Sequence, residues 1–205
     1  MRNSVSAVTE WRRFSNDWPG VEALSPLNGI TDRHAYHEFG RRSLQEVEAA
    51  LKLAGRDLWS FTSILDFACG YGAMLMWLGE LSKTTPLHGL DMDAAAARWA
   101  QHRIPYATIS PMPKHPPVDY ATDFFDLVIC NSFCMHSDGS TVTRWLGELQ
   151  RLTRPQGMLA VRMESSQSLS ADLLSLRATL RCDSVPSDLF VFERVAGEVS
   201  ASIDS

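Results

Sequence analysis

The chain has 205 residues, 45% hydrophobic and 21% charged, proportions typical of one globular domain that is long enough to bury a sizeable core. Its formal net charge is −5 and it has no long basic run, so nucleic acid is not expected as a partner. No apolar run approaches the roughly 20 residues of a membrane span, and Met1 to Ser6 lack the apolar core of a secretion signal.

The chain begins with an arm, residues 1–30, that shows no regular pattern. The next segment, Thr31 to Gly40, is rich in side chains that bind or catalyse, and two interpretations stay open: a solvated connector, or a lid over a ligand. Ser43 and Glu46 then form a capping box, which predicts a helix starting there and ending at a Gly55 cap.

The predicted fold forms around one strand–turn–helix stretch. Ile64–Phe67 is apolar apart from Asp66 and predicts a short buried strand, Gly70 and Gly72 allow a tight turn, and Ala73–Leu78 predicts the start of a packed helix. This geometry turns backbone N–H groups and a positive helix end towards a ligand. Because Asp66 would repel a pyrophosphate but can pair with a cation, a ligand with an amino group and a sulfonium fits better than a dinucleotide.

A second strand, Leu87–Asp91, ends in an acid about twenty residues after the glycine turn, the spacing at which a carboxylate can take both ribose hydroxyls of a nucleoside. Asp93 fits the N-cap of a helix at Ala94–His102. The assignment between these two acids stays open. A third strand is predicted within Ile104–Ser110, followed by an extended proline-rich loop.

The second half of the chain continues the alternation of strands and helices. The predicted strands are Phe125–Cys130 and, after a turn at Arg154–Gly157, Met158–Met163. Two helices are predicted: Thr141–Leu152, and a second one that Ser170 caps and that runs through Leu180. A predicted hairpin of Arg181–Val185 and Leu189–Val195 follows. The alternation predicts a mainly parallel sheet with helices on both faces.

The run Asp66-x-Ala68-x-Gly70-x-Gly72 resembles the first motif of the class I S-adenosylmethionine-dependent methyltransferases, with Ala68 where that family most often has glycine. The third glycine of the dinucleotide fingerprint would fall at Leu75, which disfavours a nicotinamide oxidoreductase. A structural βα turn in some other α/β protein is the alternative. The resemblance covers residues 40–195 and is specific at 64–73, 87–91 and 125–136.

The resemblance implies an α/β fold, a doubly wound and mainly parallel seven-stranded sheet with a C-terminal antiparallel hairpin and helices on both faces. The expected organisation is an N-terminal arm and lid at 1–42, a Rossmann-like cofactor-binding domain at 43–195 and a loose tail at 196–205. In the lid interpretation, Tyr36, His37 and Phe39 cover the sulfonium face, Arg41 or Arg42 meets the cofactor's carboxylate, and Gly29 and Gly40 serve as hinges.

The cofactor that the resemblance implies is S-adenosylmethionine, with S-adenosylhomocysteine as its product. The implied cofactor-binding residues lie in the glycine motif, at the end of the second strand and after the fourth: Asp66, Ala68, Cys69, Gly70, Tyr71, Gly72, Asp91, Met92, Asn131, Ser132 and Phe133. No acid or amide is evident after the third strand, so the adenine contact stays unassigned between the backbone and Ser110.

The leading hypothesis is methyl transfer to a small-molecule acceptor, because the stretch 125–136 looks most like bacterial members associated with saccharide or natural-product modification. His136 is the candidate general base, with a structural hydrogen-bonding role as its alternative, and His37 and Tyr36 are second choices. The runner-up function is a protein that binds S-adenosylmethionine or S-adenosylhomocysteine without catalysis, as a regulator or partner subunit. The atom methylated and the oligomeric state are not predicted.

The four cysteines lie near predicted strands and turns, and we interpret them as reduced thiols of a cytoplasmic protein. Cys130, Cys134 and His136 are close enough in sequence to raise the question of a zinc site. Since there is no C-x-x-C pair and no second cluster, the favoured interpretation is small buried residues and no bound metal.

Overall fold

A computed structural model describes residues 30, 32–131, 139–163, 174–181 and 187–195. Within these residues three α-helices form: α1 (Arg33–Leu53), α2 (Ala94–Arg103) and α3 (Gly139–Leu152). Seven strands form as well: β1 (Ile64–Phe67), β2 (Leu87–Asp91), β3 (Ala107–Pro111), β4 (Phe125–Cys130), β5 (Thr153–Met163), β6 (Leu174–Leu180) and β7 (Asp188–Arg194). In this described part, no helix is both long and apolar enough to cross a membrane.

The strands join in one sheet in the order β3-β2-β1-β4-β5-β7-β6. The first five strands pair in parallel, and β7 runs antiparallel to both β5 and β6. The predicted doubly wound, mainly parallel sheet with antiparallel C-terminal strands is therefore confirmed. The strand order places β1 and β4 side by side at the centre, so their carboxyl ends meet at the middle of one sheet edge.

The two faces of the sheet are covered by different helices, because neighbouring residues of a strand point to opposite faces. Ile64 and Ile129 belong to the core that α1 and α2 cover, whereas Leu65 and Val128 belong to the core that α3 covers. Each central strand is buried on both faces, which explains its continuous apolar sequence. The carboxyl edge of the sheet is thus held between two packed layers.

Helix α1 starts earlier than the predicted capping box. Its N-cap is Asp32, whose side chain accepts the Ala35 N–H at 2.8 Å, and Ser43 lies buried in the middle of the helix. The capping box predicted at Ser43 is therefore wrong, because Asp32 caps the helix and the chain is already helical from Arg33 onward. The predicted end is confirmed: Ala54 is the C-cap and Gly55 has a φ of 76°.

The long helix expected after the glycine turn does not form. In its place the described chain has two short 3₁₀ turns, Leu75–Trp77 and Leu81–Lys83. The Trp77 and Leu78 N–H groups donate to carbonyls three residues back, so the segment tightens and ends instead of propagating as an α-helix. The argument for a positive helix end at this turn consequently fails.

The predicted helix from Ser170 to Leu180 is wrong, since Leu174–Leu180 is strand β6. Apolar residues alternate there with polar ones, which is the strand period of two, and β6 pairs with β7 along its length. The hairpin strand predicted at Arg181–Val185 falls mostly outside the described residues, and the true partner of β7 is β6.

Two other strands differ from prediction only in their bounds. Strand β3 starts at Ala107 and not at Ile104. Strand β5 starts at Thr153, ahead of the predicted Met158, but its pairing with β4 shifts register over the predicted turn, where Gln156 has a φ of 65°. The helix predicted from Ala94 is confirmed as α2, with the Asp93 side chain as its N-cap.

Candidate functional site

The candidate site lies where β1, β2 and β4 end. Asp66 of β1 pairs in register with Gly89 of β2 and with Ile129 of β4, so these three positions stand at one level of the sheet. Asp91 ends β2, and Asn131 follows β4 directly. The fold therefore brings together side chains that are far apart in the sequence.

The loop after β1 takes its shape from three residues with positive φ. Ala68, Gly70 and Gly72 have φ values of 58°, 55° and 76°, so the alternating small residues of the motif are the left-handed positions of one loop. A Cβ added at Gly72 would lie 2.4 Å from Ile104 Cδ1, which leaves room only for glycine. The Cys69 N–H donates to the Leu90 carbonyl at 3.0 Å and ties the loop to β2.

Asp91 binds the same loop through its side chain. Its Oδ2 accepts the Gly70 N–H at 2.7 Å and its Oδ1 accepts the Asp93 N–H at 2.8 Å. Burial raises the pKa of Asp91, and these two hydrogen bonds oppose that rise. Asp93 is occupied differently, because its carboxylate accepts the N–H groups of Ala95 and Ala96 as the α2 cap. Of the two acids, Asp93 is therefore the helix cap and Asp91 is not.

Asp66 is a buried acid, only 4% exposed. Among the residues that the structure describes, none forms a hydrogen bond with its carboxyl group. Burial first, and the Asp91 carboxylate second, raise its pKa to about 8. A buried acid without a protein partner is unfavourable, which makes Asp66 a candidate for contact with a ligand.

Helix α1 lies directly against the loop. A Cβ added at Gly40 would lie 2.1 Å from the Ala73 carbonyl oxygen, and a Cβ added at Gly70 would lie 3.6 Å from the Tyr36 hydroxyl. Burial raises the pKa of Tyr36, and hydrogen bonding with the backbone of Ala73 and Tyr71 opposes that rise. The first half of α1 is consequently packed onto the candidate site.

A second contact fixes this arrangement. The Trp77 indole N–H donates to the His37 carbonyl at 3.1 Å, and the two rings lie 4.2 Å apart between centroids. The hinge expected at Gly40 is wrong, because Gly40 lies inside a continuous helix and allows close approach to Ala73. Arg41, which with Arg42 was expected at the cofactor's carboxylate, pairs with Glu38 at 2.6 Å, and the cofactor contact stays a prediction.

A polar chain that the sequence reasoning missed joins three elements at the same edge. Arg162 of β5 donates from Nε to Asn131 Oδ1 at 3.0 Å and forms an ion pair with Glu46 of α1. Arg162 is 5% exposed and Asn131 is 7% exposed. The sequence did carry a signal, because Arg162 is the single charge in the apolar run Met158–Met163.

The remaining predicted residues divide into two groups. Cys69 and Tyr71 are buried in the loop, and Met92 is 39% exposed beside Asp91. Burial raises the pKa of the Cys69 thiol well above its usual value, so the thiol stays protonated. Outside the described residues lie Ser132, Phe133, Cys134 and His136.

Cys130, the first residue of the zinc site considered above, lies buried in the core under α3. No group of three or more metal-binding side chains occurs among the described residues.

Comparison with known proteins agrees with this geometry. Residues 65–161 match a family model described as a methyltransferase domain. No curated protein matches the chain at a significant level. The matched range begins in β1 and ends in β5, so it contains the glycine loop, Asp91 and Asn131. Residues 65–161 thus correspond to a methyltransferase domain.

Solved structures share the fold at low sequence identity. The PH0226 protein from Pyrococcus horikoshii OT3 is similar with a TM-score of 0.61 and 14% identity, over 83% of this chain and 95% of that one. A TehB-like SAM-dependent methyltransferase from Corynebacterium glutamicum has a TM-score of 0.53 and 18% identity, over 80% and 100%. The mitomycin 7-O-methyltransferase MmcR has a TM-score of 0.55 and 15% identity, over 93% and 66%.

Proposed function

We propose that this methyltransferase acts on a small-molecule acceptor and that the described edge of the sheet holds its cofactor. The observation that carries the proposal is Asp66, a buried acid that has no partner among the described residues and lies beside a loop of left-handed residues. Bound S-adenosylmethionine supplies a methyl group on a sulfonium, which an acceptor's lone pair takes while the carbon–sulfur electron pair stays on sulfur.

The residues at this edge of the sheet fit the cofactor, because their carboxylates and loop backbone can still accept or approach a ligand. Asp66 can pair with the ammonium group of the methionine part, because a buried carboxylate without a partner favours a cation. Each Asp91 carboxylate oxygen accepts one backbone N–H and retains a lone pair for a ribose hydroxyl. Gly70 and Gly72 allow close approach to the loop backbone, and the exposed Met92 side chain offers apolar contact to the base.

The acceptor class is proposed on two supports. Net charge is −5, which disfavours a nucleic-acid substrate. The fold is shared with MmcR, whose name states a small-molecule substrate for that enzyme. The saccharide or natural-product class stays part of this proposal, as do the roles of Ser132, Phe133 and His136. The Cys69 thiol, which forms no disulfide, supports a cytoplasmic location.

Two measurements test the proposal. Calorimetry with S-adenosylhomocysteine should show binding by the wild-type chain, and Asp91→Ala should weaken it by about 1.5–3 kcal/mol, because the ribose and the Gly70 N–H both lose a charged partner. Formation of S-adenosylhomocysteine is then followed against a panel of hydroxylated aromatics, sugars and small amines. Binding without turnover on every member would favour a regulatory subunit, and no binding would remove the proposed site.

A further inference from the structure

Asn131 has its amide orientation fixed by the residue beside it. Its Oδ1 faces Arg162 Nε at 3.0 Å. Because an arginine side chain has donors only, the amide atom that faces it must be the oxygen. The opposite end of the group, Nδ2 with its two N–H donors, therefore points away from Arg162.

Arg162 is in turn held by its surroundings. It is 5% exposed and forms an ion pair with Glu46 of α1. A buried guanidinium paired with a carboxylate has little freedom to rotate, and its planar fork transmits that constraint to the amide. The orientation of Asn131 thus depends on contacts from two other elements, β5 and α1.

The amide nitrogen of Asn131 has no hydrogen-bond partner within the described ranges, although the residue is 7% exposed. Asp66 lies on the neighbouring strand, paired with Ile129, and its carboxyl group also lacks a partner there. One face of the sheet edge therefore offers two unsatisfied groups of opposite kind: an acid at Asp66 and a donor at Asn131. Neither group is among the fully buried atoms that lack a partner, so both reach the open edge of the sheet, where a ligand can meet them.

We propose that Asn131 Nδ2 faces the space beside the cofactor's sulfur and holds the acceptor there through an oxygen, with Arg162 as the positioning residue. This inference rests on the proposed function. An amine nitrogen has a single lone pair, which a donor such as Asn131 would occupy, whereas a hydroxyl or carboxylate oxygen can accept from Asn131 and keep a lone pair for reaction. The acceptor class is accordingly an alcohol, a phenol or a carboxylic acid.

The test compares two ligands that need no acceptor. S-adenosylhomocysteine has no group in the methyl position, and sinefungin carries a primary ammonium there. In the wild-type protein the Asn131 donors oppose that ammonium, so sinefungin should bind more weakly than S-adenosylhomocysteine. Asn131→Asp replaces the donors by a carboxylate and should lower the ratio of the sinefungin Kd to the S-adenosylhomocysteine Kd by roughly tenfold or more. Asn131→Ala, which removes the donors together with the Arg162 acceptor and adds no negative charge, should lower it less.

The positioning role has its own variant and control. Arg162→Met combined with Glu46→Gln frees the Asn131 amide to turn its oxygen towards the ammonium, and the same Kd ratio should fall. Arg194→Met is the matched control, because Arg194 is 2% exposed and pairs with Asp123, which precedes β4 at the opposite edge of the sheet. It should lower stability and leave the ratio unchanged.

The outcomes separate this inference from the proposed function. If S-adenosylhomocysteine binds all variants and the Kd ratio stays constant in Asn131→Asp and Asn131→Ala, Asn131 does not face the methyl position and the inference is wrong. A ratio that changes equally in the Arg194 control would remove the role of Arg162. If the wild-type chain binds neither ligand, the proposed function fails, and the inference falls with it.

Discussion

Asp66 is mostly protonated at neutral pH in the free protein, because burial and the neighbouring Asp91 carboxylate raise its pKa to about 8. An ammonium group beside it would favour the ionised form and lower that pKa. Binding of a ligand with this group must then release a proton. Ligand affinity is linked to pH through this side chain, and it should rise with pH until the pKa of the free protein is passed.

We therefore expect S-adenosylhomocysteine to release about half a proton or more per molecule bound at about pH 7. Calorimetry in phosphate and in Tris, which differ in ionisation enthalpy, measures this as a difference in apparent heat. Asp66→Asn should bind more weakly and show no difference between the buffers. The exposed Asp119→Asn is the control and should behave as wild type. Equal heats in both buffers for the wild-type chain would contradict the assignment of Asp66.

Ala68 has a backbone conformation that glycine adopts more easily, with a φ of 58°. Left-handed backbone costs an L-residue roughly 1–2 kcal/mol, whereas glycine adds roughly 0.5–1 kcal/mol of unfolded-state entropy. Ala68→Gly should accordingly leave the free energy of unfolding unchanged or raise it by up to about 1 kcal/mol. Ala97→Gly, at a fully buried helical position of α2, should lower it by at least about 1 kcal/mol. Urea unfolding measures the free energy of unfolding of both variants. A large loss of this free energy in Ala68→Gly would mean that packing of the Ala68 methyl group matters more than backbone strain.

Individual site residues were predictable where their spacing within one segment determines their place. The positions of Asp66, Gly70 and Gly72 follow from a strand and a tight turn, and Asp91 follows from the length of one βα unit. The contacts of Tyr36 and the ion pair between Glu46 and Arg162 were not predictable, because they join positions that only the folded chain brings together. A sequence shows that Arg162 is an unusual charge in an apolar strand but not which partner it has.

Among the helices, α1 depends most closely on one backbone contact, the approach of Gly40 to Ala73. Gly40→Ala would place a Cβ 2.1 Å from the Ala73 carbonyl oxygen, and backbone cannot yield as a flexible side chain does. We expect a loss of roughly 2 kcal/mol or more in the free energy of unfolding, because helix and loop must separate. Affinity for S-adenosylhomocysteine should fall with it, since the loop that Tyr36 contacts would move.

Helix α3 offers the matched control. A Cβ added at Gly147 meets nothing within 4 Å, and the residue lies inside the helix. Gly147→Ala should raise the free energy of unfolding by roughly 0.5–1 kcal/mol, through helix propensity alone. Denaturant unfolding and cofactor calorimetry on both variants check the pair. If Gly40→Ala were as stable as Gly147→Ala, the close contact between α1 and the loop would be wrong.

Secondary structure was predicted well where period and caps agreed, as in α2 with its Asp93 cap and in the buried strands β1 and β4. The errors came from competing local signals. Ser43 with Glu46 has the pattern of a cap, yet Asp32 caps the helix earlier and tertiary packing keeps Ser43 inside it. The segment of β6 alternates apolar and polar residues with a period of two, but the strand it pairs with, β7, lies further along the chain. The sequence of the segment alone therefore did not exclude a helix.

The stability of the folded chain without ligand should depend on pH in two opposite ways. Burial raises the pKa of Asp66 to about 8, and it also raises the pKa values of Asp91 and Glu48. Acids of this kind stabilise the fold fully below their unfolded pKa of about 4, and the contribution is lost as pH rises through the folded pKa. For these groups the free energy of unfolding falls towards alkaline pH.

Two histidines act in the other direction. Burial lowers the pKa of His37, which packs on Trp77, and of His88, whose ring lies 3.0 Å from the Tyr120 hydroxyl and packs against Phe125. Their contribution is fully present above the unfolded pKa of about 6.5 and is lost as pH falls through the lower folded pKa. Below about pH 6.5 these histidines therefore oppose the effect of the buried acids.

Above about pH 6.5 only the buried acids act and the free energy of unfolding should fall, whereas below it the histidines oppose them, each group contributing a slope of up to about 1.4 kcal/mol per pH unit. Urea unfolding at about pH 5, about pH 6.5 and about pH 8 measures this. His88→Gln should change the profile only below about pH 6.5, whereas Asp66→Asn should remove a fall in stability that runs from about pH 4 to about pH 8, because its unfolded and folded pKa values span that range. Saturating S-adenosylhomocysteine should also restore stability towards pH 8 in the wild-type chain but not in Asp66→Asn. A wild-type profile that rises steadily from pH 6.5 to pH 8 without ligand would show that Asp66 is ionised in the free protein.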